Sequence, residues 1–265
     1  MDLETLFHIQ EVLQNSGYSD LSRISKEILE YSTKESVKLE KILSRIQKQE
    51  PWEYIRGYAE FKERIFFVTK DTLIPRIESE QLVDIGIDLI ERKVSGYKQI
   101  LDIGTGSGCL IISLFLGLEE KGKDYEYIAT DISRDTLDIA KKNAQIHSIN
   151  EIKFLERDLI EVNDIEDKSL IIANLPYIPV KMYENLDTSV KGYEPKIALE
   201  GGEDGLKYYR RLIKILTDSK KNIDLLIEIE PSTLHNFQDI SSKNKSLKIY
   251  KDFRGKERFL FFHFS

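Results

Sequence analysis

Apolar residues recur at three- and four-residue steps through the first fifty positions. Leu3, Leu6 and Phe7 are followed by Ile9, Val12 and Leu13, a stripe that predicts an amphipathic helix. Gly17 is placed as its stop, and Ser19-Asp20 opens a second segment carried by Leu21, Ile24, Ile28 and Leu29. Val37, Leu39, Ile42, Leu43 and Ile46 form a third, which runs to Pro51. The pattern predicts a small helical bundle. It carries no chemistry of its own, so a folded cap or partner-docking unit is the expected role.

The pattern changes near Ala59. Phe61, Ile65, Phe66, Phe67 and Val68 are aromatic or β-branched and predict a short hairpin. It leads to Leu73-Ile74-Pro75-Arg76, where the proline imposes an extended approach. Beyond it, strand-like segments at 99–103, 127–131, 152–155, 170–174 and 224–229 alternate with amphipathic stretches such as 110–118 and 136–147. That alternation predicts βαβ units and a parallel sheet with helices on both faces, an α/β fold. Segments 247–250 and 259–264 flank Phe253-Arg254-Gly255-Lys256 and predict a terminal antiparallel hairpin.

The chain of 265 residues is 41% hydrophobic, enough for one substantial core with a smaller appended unit. A net charge of −7 and a pI near 5.4 argue against broad duplex nucleic-acid binding, because phosphate contacts need clustered Lys and Arg. Cys109 is the single cysteine, so no intramolecular disulfide forms and a reducing, cytoplasmic setting is expected. The acidic start and the absence of a long apolar run predict neither a signal peptide nor a membrane span. His8, His147, His235 and His263 are scattered without ligand spacing, so no metal is expected.

The chemistry gathers after the first alternating strand. Leu101-Asp102-Ile103-Gly104-Thr105-Gly106-Ser107-Gly108 is a glycine-rich turn from strand to helix, where backbone approaches a ligand closely and a helix N-terminus offers free N–H groups. Its G-x-G-x-G spacing differs from the dinucleotide pattern. Asp131, about 20 residues on, is placed to accept hydrogen bonds from ribose hydroxyls. Asp102 would repel a pyrophosphate and suits a cationic ligand, which favours S-adenosylmethionine over NAD. Asp158, in Glu156-Arg157-Asp158-Leu159, is either an acceptor for the adenine amino group, with Leu159 against the ring, or a helix N-cap.

Asn174-Leu175-Pro176-Tyr177 ends the fourth strand of the series. The Asn174 side-chain oxygen and the Leu175 carbonyl can both accept hydrogens from one NH2 group. Pro176 stiffens the loop, and the Tyr177 ring can lie on a planar acceptor. Two acceptors aimed at a delocalised nitrogen would turn its lone pair toward the methyl donor. An ordinary strand-ending turn is the alternative reading of these four residues.

Together these residues resemble the class I methyltransferase family that modifies the glutamine of peptide chain release factors at N5. Pro51-Trp52-Glu53-Tyr54-Ile55-Arg56-Gly57 with Glu60-Phe61 is similar to its P-x-x-Y-x-x-G and E-F segments. Residues 73–80 are similar to its L-I-P-R-P-x-T-E block, with Ile77 and Ser79 as departures. Tyr193-Glu194-Pro195, Ala198-Leu199 and Gly201-Gly202-Glu203-Asp204-Gly205-Leu206 resemble its Y-E-P-x-x-A-L-x-G-G-x-D-G-L block. Leu175 stands where the family motif N-P-P-Y has its first proline; leucine keeps the carbonyl and gives up a rigid ring. Glu230 stands where the family usually has glycine.

The resemblance implies a Rossmann-like, seven-stranded class I methyltransferase sheet with a reversed last strand. It places cofactor contacts on Gly104, Thr105, Gly106, Ser107, Gly108, Asp131, Leu159 and Asn174, and substrate contacts on Asn174, Leu175, Pro176 and Tyr177. It implies a helical substrate-docking unit over 1–58, a hairpin connector over 59–75 and the methyltransferase domain over 76–265. The expected partner is a release factor presenting its Gly-Gly-Gln loop to a monomeric enzyme without nucleic acid or membrane attachment. An N6-adenine or other nucleic-acid amino-methyltransferase shares the acceptor chemistry, but the acidic charge and the Y-E-P block count against it. A non-catalytic binding module and a nucleotide-dependent oxidoreductase are the remaining alternatives. Arg76 is either a residue of the active-site mouth or half of a structural ion pair.

Overall fold

In the computed structural model, which describes residues 3–93, 96–118, 124–237 and 247–265, four helices come first. They are α1 (Leu3–Asn15), α2 (Leu21–Lys34), α3 (Leu39–Gln47) and α4 (Trp52–Arg56). Gly17 follows α1 with φ +85°, and Asp20 caps α2 by accepting the Arg23 N–H at 3.2 Å. The third helix ends at Gln47, short of Pro51, because Gln49 turns into the left-handed region. Pro51 instead opens α4, which Gly57 closes at φ +83°. Ile9, Leu13, Ile28, Ile42, Ile46 and Trp52 form a core of their own. The predicted α1 stripe is only half used: Ile9, Val12 and Leu13 are buried, while Leu3 and Phe7 are exposed.

Arg56 is almost wholly buried and pairs with Glu27 at 2.7 Å; Glu27 also accepts the Trp52 indole N–H at 2.9 Å. One carboxylate thus joins α2 to the P-W-E-Y-I-R-G segment. The hairpin of β1 (Tyr58–Phe61) and β2 (Arg64–Phe67) follows, through a two-residue turn in which Lys62 and Glu63 both have positive φ. Its Phe61 and Phe66 pack into the core of the main sheet.

That sheet contains β3 (Gln99–Ile103), β4 (Glu126–Asp131), β5 (Ile152–Glu156), β6 (Ser169–Ala173), β7 (Ile223–Glu228), β8 (Leu247–Lys251) and β9 (Glu257–Phe264). The spatial order is β5-β4-β3-β6-β7-β9-β8. Neighbours from β5 to β7 run parallel, and β9 runs antiparallel to both β7 and β8, so the last strand is the reversed one. β3 and β6 are buried along their whole length, which is why they read as mostly apolar runs, interrupted by Gln99 and Asp102 in β3 and by Ser169 in β6. Ile100, Leu170 and Ile172 face α5 (Glu80–Arg92) and α6 (Cys109–Gly117), with α7 (Arg134–Ile146) beside them. Leu101, Ile103, Ile171 and Leu225 face the opposite side, where α10 (Lys207–Ser219) packs through Tyr209, Leu212 and Leu216. Two short turns, α8 (Val180–Tyr183) and α9 (Thr188–Lys191), lie between β6 and α10.

The chain leaves β3 toward β4 and β5, and leaves β6 toward β7. Strand order therefore reverses between β3 and β6, which pair from Gln99↔Ser169 to Ile103↔Ala173. Ligands of open α/β sheets bind beyond the strand ends at such a switch point. Among the described residues no helix is long and apolar enough to cross a membrane.

Candidate active site

A cavity of about 300 Å³ opens at this switch point, at the small end of the range for small-molecule sites. Gly104, Thr105, Gly106 and Ser107 line it; Gly108 does not. Gly104, Gly106 and Gly108 have φ of +74°, +57° and +80°, a region closed to most side chains, so the turn requires glycine there. A Cβ on Gly106 would meet nothing within 4 Å, so the backbone there is open to a ligand. The N-terminus of α6 follows, with Cys109 and Leu110 also in the wall.

Asp131 closes β4 and lines the cavity. Its carboxylate accepts the Gly106 N–H at 3.1 Å and the Ser133 N–H at 3.0 Å. These bonds brace the glycine loop and leave acceptor capacity for ligand hydroxyls. Burial pushes its pKa up, partly countered by the Ser133 and Gly106 N–H groups. Ile132, half exposed, stands beside it in the wall, an apolar surface for a flat ring that the sequence reading missed. Leu159 supplies the other such surface, in a left-handed turn (φ +71°) held by the Thr130 hydroxyl on its carbonyl at 2.7 Å.

Asp158 lines the cavity and does not cap a helix; the short helical turn downstream begins only after Glu161. Its carboxylate pairs with Arg211 at 2.8 Å with both partners about half exposed, a weak tie. Asp102 does not touch the cavity. It lies beneath the loop, accepting the Thr105 hydroxyl at 2.7 Å, and burial pushes its pKa up to about 7. It braces the loop from below through Thr105 and makes no direct contact with the cavity.

The donor set fits S-adenosylmethionine. Close backbone, a carboxylate at the end of β4 and two apolar side chains match a nucleoside. The arginines of the wall are engaged elsewhere, Arg157 with Asp164 and Arg76 with Glu194, so neither is aimed at a phosphate.

Asn174, Leu175 and Pro176 form the adjoining wall; Tyr177 lies outside it. The Asn174 amide nitrogen donates on one side to both Ser79 Oγ (3.0 Å) and Glu228 Oε2 (3.1 Å). The orientation of the amide follows from these bonds. Its Oδ1 is the acceptor left over. Tyr177 donates its hydroxyl to Glu228 Oε1 at 3.1 Å, and burial beside that carboxylate raises its pKa well above the usual value. Leu175 is buried, with its side chain against Gly104, and its N–H donates to the Tyr209 hydroxyl at 3.1 Å. Tyr209 in turn donates to the Glu228 carbonyl. The leucine that replaces a proline ring is thus tied down by a hydrogen bond proline could not make.

The Y-E-P and G-G-x-D-G-L block backs this loop. A Cβ on Gly201 would lie 2.6 Å from the Pro176 carbonyl, and one on Gly205 2.3 Å from the Tyr177 carbonyl. Glu194 accepts the Ile74 N–H at 3.1 Å and pairs with Arg76, placing Pro75, Arg76 and Pro195 on the rim. Arg76 is therefore both a mouth residue and half of an ion pair. Tyr193 reaches the Lys48 carbonyl at 2.7 Å, linking the block to the helical unit. Glu230 has no positive φ, so glycine is not needed there; its side chain faces Ser232 in the turn of residues 231–237.

The chain is similar to known proteins. A family model described as a methyltransferase domain matches residues 95–245. A release factor glutamine methyltransferase of Bacteroides thetaiotaomicron is 36% identical over 84% of this chain and 79% of its own length. One from Lactococcus lactis is 33% identical over 98% of this chain and 94% of its own. Among solved structures, the catalytic domain of human METTL16 in complex with an RNA hairpin has a TM-score of 0.58 at 18% identity, covering 76% of this chain and 75% of that one; it shares the fold. The chain belongs to the release factor glutamine methyltransferase family of S-adenosylmethionine-dependent, class I enzymes.

Proposed function

We propose that this protein methylates the side-chain amide nitrogen, N5, of the glutamine in the Gly-Gly-Gln loop of a peptide chain release factor. The observation that carries this reading is the orientation of Asn174, whose NH2 group is turned toward Ser79 and Glu228, so that its oxygen remains for the ligand.

S-adenosylmethionine supplies an electrophilic methyl group on a sulfonium. Gly104, Thr105, Gly106, Ser107 and Gly108 would carry the methionine end, Asp131 the ribose, and Asp158 and Leu159 the adenine. Asn174 Oδ1 and the Leu175 carbonyl would each accept one hydrogen of the glutamine NH2. The Tyr209 hydroxyl lies 3.4 Å from the Leu175 carbonyl and leaves a lone pair available. Two such bonds hold the nitrogen lone pair in line for displacement and stabilise the positive charge that grows on nitrogen. The proton lost afterwards is strongly acidic, so no general base need act before attack. Pro176 holds the loop, and Tyr177, outside the cavity wall, supports it from behind through Glu228.

Residues 1–58 would dock the release factor, with 59–75 as connector to the catalytic unit over 76–265. The separate core of α1–α4 supports that division. The net charge of −7 favours a protein partner over nucleic acid, in a monomeric cytoplasmic enzyme without membrane attachment.

The experiment is transfer of labelled methyl from the cofactor to purified release factor, with DNA and RNA as parallel acceptors. Label in the release factor supports the proposal. Label in nucleic acid alone overturns it in favour of an amino-methyltransferase.

A further inference from the structure

Glu228 ends β7, a strand buried along all six of its residues, and no ligand contact is assigned to it above. Its carboxylate collects hydrogens from three directions. Ser79 donates its hydroxyl at 2.6 Å, Asn174 its amide at 3.1 Å and Tyr177 its hydroxyl at 3.1 Å; Arg258 lies 3.9 Å away. Ser79 has one hydrogen, and it is given to Glu228. Toward Asn174, therefore, Ser79 offers only a lone pair. Both neighbours of the Asn174 amide are acceptors, and a flipped amide would set its oxygen against a carboxylate and a lone pair.

We infer that Glu228, acting through Ser79 and Asn174, is a positioning residue that makes the acceptor site an oxygen-only surface and so selects an NH2 group over a carboxylate. This rests on the proposed function, since it deepens the recognition of the glutamine amide. A glutamate in place of that glutamine would bring oxygen against Asn174 Oδ1 and the Leu175 carbonyl. The site discriminates by leaving like groups facing each other.

The test is a double-mutant cycle on Asn174→Ala and Glu228→Gln, with the cofactor product as a binding probe. Asn174→Ala is expected to lower kcat about 100- to 1000-fold, as for loss of one transition-state hydrogen bond. Glu228→Gln is expected to lower it about 100-fold through misplacement of that group. Because both act through one amide, the double variant should lose no more than Asn174→Ala alone. Affinity of Glu228→Gln for S-adenosylhomocysteine should hold within about threefold, the scatter of unlinked sites. Ser79→Ala gives the same pattern more weakly, and Ser79→Thr, which keeps the hydroxyl, restores turnover. Multiplying losses, or an unchanged kcat in Glu228→Gln, would overturn the inference. A readout independent of substrate identity is the Asn174 side-chain NH2 in nitrogen-15 spectra. It should be protected from exchange in the native protein and unprotected in Glu228→Gln or Ser79→Ala. If the native enzyme transferred no methyl to release factor, the function would fail while this spectral arm still judged the network; an unprotected native NH2 would refute it.

Discussion

Glu194 and Arg76, 118 residues apart in sequence, are joined across the rim of the cavity, with the Glu194 side chain almost wholly buried and that of Arg76 one-third exposed. The same carboxylate accepts the Ile74 N–H, so one residue holds both the side chain and the backbone of the L-I-P-R segment. Glu194→Ala leaves a buried N–H without a partner and a guanidinium without its counter-ion. The expected loss is about 1–3 kcal/mol of stability, with a raised KM for the release factor and little change in cofactor affinity. Thermal denaturation and steady-state kinetics check it; an unchanged KM would remove the rim role.

Asp131→Asn should separate cofactor binding from acceptor chemistry. A charged acceptor is exchanged for a neutral one, and the new NH2 faces the Gly106 or Ser133 N–H. S-adenosylhomocysteine should bind about 10- to 100-fold more weakly, the range for loss of a charged hydrogen bond. Turnover at saturating cofactor should stay near native. Calorimetry decides, and native affinity in the variant would contradict the assignment.

Tyr209→Phe removes the acceptor for the buried Leu175 N–H and the donor to the Glu228 carbonyl. Stability should fall by about 1–3 kcal/mol. Leu175→Pro needs no such acceptor, so in the Tyr209→Phe background it should cost less than in the native one. Chemical denaturation of the four proteins measures this coupling, and strictly additive losses would show that the brace does not exist.

Asp102 gives the pH prediction. Burial raises its folded pKa to about 7, above its ordinary value of 3.8. A raised carboxyl binds more protons folded than unfolded, so its contribution is full below the unfolded value and is lost as pH rises through 7. Asp102→Asn cannot ionise. Relative to native, the variant should therefore gain melting temperature on going from about pH 5 to about pH 8. An equal difference at both values would mean that Asp102 is not raised.

The sheet was legible because its central strands are buried on both faces and so read as apolar runs. The reversed last strand came only from resemblance. The third helix was read too long because Ile46 and Pro51 bracket a turn that periodicity does not see. Leu3 and Phe7 matched the α1 stripe yet are exposed, since period alone does not say how wide the buried face is. At the site, the glycine loop, Asp131 and the acceptor loop were readable as local patterns. Glu228, Ser79 and Tyr209 were not, because Ser79 and Glu228 meet across 149 residues and Asn174 and Glu228 across 54. The available signal was a glutamate closing an otherwise apolar buried strand. The G-G-x-D-G-L block was recognised by likeness, and its physical cause, glycines against the Pro176 and Tyr177 backbone, needed the third dimension.

The most direct measurement is mass spectrometry of a release factor after incubation with the enzyme and S-adenosylmethionine. The account predicts one added methyl group, on the side-chain amide of the Gly-Gly-Gln glutamine, absent when Asn174→Ala replaces the native enzyme. A methyl group on any other residue, or an unmodified release factor beside a methylated nucleic acid, would contradict it.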